Sequence, residues 1–328
     1  MSITIKEIAE IANVSSATVS KVLNDKAPYI SDETKKKIFE IARREGYIPN
    51  AVAKSLKVKS TKTIGIIIPD VMNLFFSELA RGIEDAAEKR GYSVILCNSD
   101  NNEEKEKKYI QVLQEKMVDG IILTASEKSV ERSLNMRKIP MVLLDRDINT
   151  DAKVGKIFVD NETGEYEACK YMIDKGIKEI AFISSNVISK SSSQRLNGYK
   201  KALSDNGIEI DEDLIYLDSY TIETGFNGVI EILKKKDFKG ICCGNDLIAI
   251  GAINALKMKS INVPEDVKVI GFDDIQISKY INPPLTTIKQ PIYRMGREAV
   301  DMLINMIHGY DMDYEIILKT SLIERMSC

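Results

Sequence analysis

Thr4–Asn24, TIKEIAEIANVSSATVSKVLN, reads as two short helices joined by a tight turn. Thr4 and Glu7 have capping-box spacing: the hydroxyl can accept from the third helical amide, and the carboxylate can reach back. Ile5, Ile8, Ala9 and Ala12 then share one helical face. Asn13 stands where the chain must turn, and Asn tolerates the left-handed conformation. Ser15 is placed to cap a second helix, whose buried face is Val19, Val22 and Leu23. Its opposite face offers Ser16, Ala17, Thr18, Ser20 and Lys21. That face is small, hydroxyl-rich and carries one cation, which suits close approach to a duplex. A helix-turn-helix sets such a helix in the major groove. An ordinary helical hairpin has the same spacing, so spacing by itself leaves both open.

At 328 residues the chain predicts two or three folding units. With 44% apolar and 29% charged residues, it reads as a soluble protein able to bury a core. The net charge of −3 hides an asymmetry: residues 1–59 hold 11 Lys and Arg against 7 Asp and Glu, and the rest holds 35 against 42. A mildly basic head on an acidic body suits one nucleic-acid face and a non-adhesive remainder. No leader peptide or membrane-length apolar run is evident, which predicts a cytoplasmic protein. The five cysteines lack metal-ligand spacing, and Cys242–Cys243 sits inside an apolar run, so buried thiols are expected. The single histidine, His308, reads as a helix-end residue beside Gly309, and no metal or cofactor is implied.

Farther along, Ser31 caps a predicted third helix whose inner face is Ile38, Ile41 and Ala42. Lys35–Lys37 reads as a solvated face, or as one that approaches the phosphate backbone. Residues 47–60 form a linker. Within it, Asn50 can cap a two-turn helix over Ala51–Lys57, too short to be stable unless docked. From Thr61 the pattern changes. Continuous apolar runs at 64–68, 94–96, 120–123, 141–144, 180–183, 240–243 and 267–270 alternate with helical patterns, among them 76–90, 103–117 and 127–137. This alternation predicts an α/β protein with parallel sheets covered on both faces, in two blocks near 62–160 and 161–289. Glu103–Lys108 reads as a solvated helix face.

In doubly wound sheets, ligands bind beyond the carboxyl ends of the strands. The residues there are Asn73, Phe75 and Phe76; Asp145 and Arg146; Arg195, beyond a serine-rich loop; Tyr220; Asn245; Asp273; and Gln290. Aromatic faces can stack on the C–H face of a sugar ring. Carboxylates, amides and guanidinium groups can bracket vicinal hydroxyls.

The run Val14–Asn24, the third helix to Gly46, and Gly46–Asn50 followed by Ala51–Lys57 strongly resemble the DNA-reading segments and hinge of the lactose/galactose-repressor (LacI/GalR) family. The resemblance extends over essentially the whole chain. It implies a helix-turn-helix domain at 1–46, a hinge helix and linker at 47–60, and a two-lobed, periplasmic-binding-protein-like domain at 61–328. The first lobe would hold about 61–160 and 291–318, and the second about 161–290 and 319–328. The implied partners are double-stranded DNA with a pseudo-palindromic operator, a small sugar, and a second copy of the chain. Ser16, Ala17 and Lys21 are the candidate base readers, on the helix that Ser15 begins. Thr4, Thr18, Ser20, Asn24 and Tyr29 are candidate phosphate contacts. In the hinge, Asn50, Ala53 and Lys57 accompany Leu56, which the family pattern makes a minor-groove wedge.

The pocket residues match ribose-binding proteins position by position, with Tyr220 at a usually aromatic site. Leu74 departs from the proline common between Asn73 and Phe75. Asp145–Arg146, Arg195–Gly198, Gly271–Asp274 and Thr286–Pro291 are shared with ribose operon repressors, so ribose or a related pentose is the expected effector. Two other readings stand beside this one. Asp145 and Asp273 could form an acid/base pair, but there is no nucleophile elbow, metal set, dinucleotide fingerprint or phosphate loop, so no enzyme is expected. Pro69–Asp100 also resembles catabolite-control proteins, which take a phosphorylated carrier protein as corepressor. Their contact region would fall near Tyr293–Gly296, where Arg294 replaces the usual acidic residue.

Overall fold

Local capping starts each described helix of the N-terminal unit. The computed structural model describes residues 3–24, 27–47, 60–124, 139–145, 153–186, 190–311 and 313–328, and the chain divides into two units, Met1–Thr61 and Lys62–Cys328. The first contains α1 (Ile5–Ala12), α2 (Ser16–Leu23) and α3 (Asp32–Arg44). Thr4 Oγ1 accepts the Glu7 amide at 3.3 Å, and Glu7 Oε2 accepts the Thr4 amide at 2.7 Å, so the capping box is reciprocal. Asn13 turns the chain at φ 58°. Ser15 and Ser31 cap α2 and α3 by accepting from Thr18 and Thr34. Ile8, Ala9, Ala12, Val19, Val22, Ile38, Ile41 and Ala42 bury together between the three helices. The lysine run is largely solvated, with Lys36 and Lys37 exposed, and two of its cations also have partners. Lys37 Nζ donates to the Ala12 carbonyl at 3.0 Å, satisfying the C-terminal end of α1, and Lys35 pairs with Asp32 at 3.2 Å.

The second unit holds two six-stranded sheets. The first contains β1 (Thr63–Ile68), β2 (Ser93–Asn98), β3 (Gly120–Leu123), β4 (Met141–Leu144), β5 (Gly155–Val159) and β11 (Glu315–Leu318), in the order β11-β5-β4-β3-β1-β2. The second contains β6 (Ile180–Ser185), β7 (Ile215–Asp218), β8 (Gly240–Cys243), β9 (Lys268–Asp273), β10 (Thr286–Lys289) and β12 (Ser321–Ile323), in the order β12-β10-β9-β8-β6-β7. Every pair is parallel except β10 with β12. The connecting helices are α4 (Leu74–Lys89), α5 (Glu103–Glu115), α6 (Asn161–Asp174), α7 (Lys190–Asp205), α8 (Ile222–Leu233), α9 (Asp246–Met258) and α10 (Ile292–His308). The chain thus leaves the first sheet after β5, builds most of the second, and returns through α10 to place β11 before β12 ends in the second sheet. α10 lies close against α4: a side chain at Gly82 would meet the Tyr293 carbonyl at 2.5 Å.

β3, β4 and β8 are buried throughout, as their unbroken apolar runs require. Two readings change. The run at 94–96 is an edge strand, and it leaves Ile95 and Leu96 exposed at 36% and 45% because no described strand pairs beyond β2. Glu106 is not on a solvated face. It is fully buried on the inward side of α5, one turn before Ile110. The helical pattern near 127–137 lies outside the described residues. Cys97, Cys169, Cys242 and Cys243 are buried thiols. No described helix is long and apolar enough to cross a membrane.

Candidate nucleic-acid face and effector cleft

The outer face of α2 carries Ser16, Ala17 and Lys21, all exposed, with Thr18 and Ser20 partly covered. Tyr29 is almost wholly exposed, at 99%. Local duties occupy several neighbours: Thr4 serves the α1 box, Ser15 Oγ lies 2.8 Å from Thr18 Oγ1, and Asn24 Nδ2 donates to the Ser20 carbonyl at 2.7 Å. The face therefore combines a capped helix N-terminus, small side chains and one ammonium group. Such an end attracts phosphate and lets backbone approach a groove. Asn50, Ala53, Leu56 and Lys57 lie outside the described residues.

In the second unit, a cavity of about 270 Å³ opens at the carboxyl ends of the strands. Nine of the ten expected effector positions line it: Asn73, Phe75, Phe76 and Asp145 from the first lobe, and Arg195, Tyr220, Asn245, Asp273 and Gln290 from the second. Arg146 lies outside the described residues. Asp70, Asn101, Ser191, Ser219 and Thr221 also line the cavity. Asp70 lies two residues beyond β1, and Asn101 lies three beyond β2 at φ 53°, so both belong to the same strand-end loops as the expected residues. Ser219 and Thr221 flank Tyr220.

Each wall has a structural reason. Asn73 and Asn245 are N-caps, accepting from Phe75 at 3.0 Å and Ile248 at 2.9 Å through Oδ1, which leaves Nδ2 as the donor of each side chain. Phe75 and Phe76 meet edge to face with centroids 5.0 Å apart. Arg195 is 5% exposed and held from three sides. Its Nε donates to Asn161 Oδ1 at 2.9 Å, its Nη1 donates to the Gly244 carbonyl, and its guanidinium lies 3.8 Å from the Phe272 ring centroid. Asn161 and Phe272 were not singled out in the sequence, because their role exists only through Arg195. Asp273 Oδ1 sits 3.8 Å from Arg195 Nη1 and accepts from Gln290 Nε2 at 2.7 Å. Burial pushes the Asp273 carboxyl well above the ordinary carboxylate range, and Arg195 opposes that shift. Among the described residues, the buried Gln290 Oε1 has no hydrogen-bond partner. Asp145 and Asp273 both stand in positive-φ backbone, at 66° and 120°. The cleft thus offers a planar cation, carboxylates, amide groups and aromatic faces within one small volume. This is the group set that binds a polyhydroxylated molecule.

Comparison with known proteins follows the same division. The bacterial regulatory proteins of the lacI family match residues 4–50, and the periplasmic binding proteins and sugar binding domain of the LacI family match residues 61–325. Over 333 residues the chain is 43% identical to the HTH-type transcriptional regulator RegA of Clostridium saccharobutylicum, covering 100% of this chain and 99% of RegA. It is 36% identical over 320 residues to catabolite control protein A of Priestia megaterium, covering 97% and 96% of the two chains. The lac repressor dimer bound to operator and the anti-inducer ONPF matches with a TM-score of 0.90 at 26% identity, covering 100% of this chain and 99% of that one. With its helix-turn-helix unit and its sugar-binding domain, the chain belongs to the LacI family of bacterial DNA-binding transcriptional regulators and not to an enzyme family.

Proposed function

We propose that the protein is a cytoplasmic homodimeric repressor that holds a pseudo-palindromic operator and releases it when a small sugar, ribose or a related pentose, closes the cleft. The observation that carries this reading is the cavity itself, where Arg195, Asp273 and Gln290 form one hydrogen-bonding wall opposite Phe75, Phe76 and Asp145. Asp70, Asp145 and Asp273 around one described arginine favour a neutral sugar over its phosphate. The domain limits are taken as 1–46, 47–60 and 61–328. Ser16, Ala17 and Lys21 then read bases. Thr4, Thr18, Ser20, Asn24 and Tyr29 set the register on phosphates, Ser15 begins the reading helix at the DNA, and Asn50, Ala53, Leu56 and Lys57 serve the hinge at the minor groove. Lys21 makes a single ammonium contact where arginine would offer a fork. Two-fold pairing supplies the second half-site that one short helix cannot read. About 5.5 kcal/mol of differential binding would turn a 1:99 balance into 99:1, within reach of one sugar site acting on a marginal hinge helix.

Calorimetric titration with ribose, other pentoses and glucose tests the effector. Heat from ribose, weakened or absent with the others, is expected. No heat from any sugar would move the assignment to the second reading, which the 36% identity to catabolite control protein A favours. In that reading a phosphorylated carrier protein docks on the first lobe near Tyr293, which is exposed on α10. Arg294 there is paired with Glu298 at 3.2 Å. A gain in DNA affinity with the phosphorylated carrier and no sugar would establish it.

A further inference from the structure

Asp273 and Ile275 are two residues apart and belong to different parts of the molecule. Asp273 lines the cleft, whereas Ile275 is buried in the hydrophobic core of the first lobe among α4, α10 and the first sheet. Between them, Asp273 and Asp274 both take positive φ, 120° and 60°, a conformation that side-chain-bearing residues adopt only under restraint. Asp246 supplies the restraint. Asp246, the first residue of α9, is completely buried and touches no part of the cavity. Its Oδ2 accepts the Ile275 amide at 2.9 Å and the Ser278 hydroxyl at 2.5 Å, and its Oδ1 accepts the Thr287 hydroxyl at 2.5 Å. A side chain at Gly271 would collide with Asp246 Oδ1, so the glycine on β9 is what lets the carboxylate reach the turn. From the other side, Arg325 Nη2 pairs with Asp274 Oδ1 at 2.6 Å. Asp246 also stands between Asn245, which lines the cleft, and Leu247, which packs against the first-lobe core.

We propose that Asp246 is a positioning residue: its three accepted bonds hold Asp273–Ile275 as one rigid unit, so that the cleft carboxylate and the first-lobe contact move together. The proposal rests on the sugar reading for the ligand at Asp273 and on geometry alone for the rigid turn. A carboxylate here leaves three donors paired. Alanine leaves all three unpaired, and asparagine pairs all three again once the Thr287 hydroxyl turns to accept.

The test is amide hydrogen exchange on the sugar-free full-length protein, beside ribose titration, for wild type, Asp246→Ala, Asp246→Asn and Ser278→Ala. The Ile275 amide is expected to exchange roughly 100-fold faster in Asp246→Ala, roughly tenfold faster in Ser278→Ala, and near the wild-type rate in Asp246→Asn. Ribose affinity is expected to fall at least tenfold in the alanine variant and to recover with asparagine. Acceleration spread evenly over β6, β8 and β9 would mean a general loss of stability and would overturn the assignment, as would unchanged exchange at Ile275. Should Asp246→Ala not fold, Ser278→Ala decides the matter by the same local pattern. Local acceleration in a protein that takes up no ribose would overturn the sugar reading and leave the positioning role standing.

Discussion

The face of α2 and the cleft contrast in how far their parts are gathered. The hydrogen bonds that shape the ends of α2 are local, although its buried face packs on α1 and α3: Ser15 caps it, Thr18 answers the cap, and Asn24 closes its end. The cleft draws on segments from Asp70 to Gln290, and its central residue, Arg195, depends on Asn161, Gly244 and Phe272. A site built from neighbours in sequence should lose energy in small, local portions. A site built from a buried web should lose it in large portions, because each removal leaves several other groups unpaired.

The sharpest way to break that contrast is Arg195→Ala. It strands the Asp273 carboxylate, the Asn161 oxygen and the Gly244 carbonyl in a buried place. A loss of about 3–5 kcal/mol in lobe stability is expected, together with the loss of any ribose heat. Thermal melting and calorimetry would check both, and a variant that melts like wild type would show that the web is not cooperative.

Next comes Glu165, buried on α6 beside Arg195 and raised to about 8, by burial first and against the pull of Arg195. The folded state keeps this proton to higher pH than the unfolded chain does. Its contribution is therefore full below the unfolded value near 4.5 and is lost as pH rises through about 8. Asp246, raised to about 7 by burial, titrates in the same interval. The comparison of wild type with Glu165→Gln isolates the one group. Their difference in unfolding free energy should change by about 1.4 kcal/mol per pH unit between pH 5 and 8. Urea titrations at four pH values would read it, and parallel lines would remove Glu165 from the web.

The smallest effect belongs to the local site. Ser15→Ala removes one cap and is expected to cost the N-terminal unit about 1 kcal/mol, with no change at the cleft. A loss several times larger, followed by urea unfolding of the N-terminal unit, would mean that α2 is held by more than its own neighbours.

The same contrast explains what could be read in advance. Thr4, Glu7, Asn13 and Ser15 announced their geometry because capping and turning are decided by residues three or four positions apart. The buried strands β3, β4 and β8 announced themselves by unbroken apolar runs. β2 carried the same signal and proved to be an edge, since position in a sheet depends on partners and not on composition. Glu106, read as solvated, faces inward because the phase of α5 is set by what packs on it.

By itself, the sequence determined the three capped helices, the alternation of strand and helix, and the strand-end polar residues, since propensity, capping and periodicity act over a few residues. Only the tertiary structure decided that α10 lies against α4 at Gly82, that Asn161 and Phe272 hold Arg195, and that Asp246 reaches across to Ile275. Those are contacts between residues tens to hundreds of positions apart. Their energies come from burial and from pairing buried polar groups, and neither exists until the chain has brought the partners together.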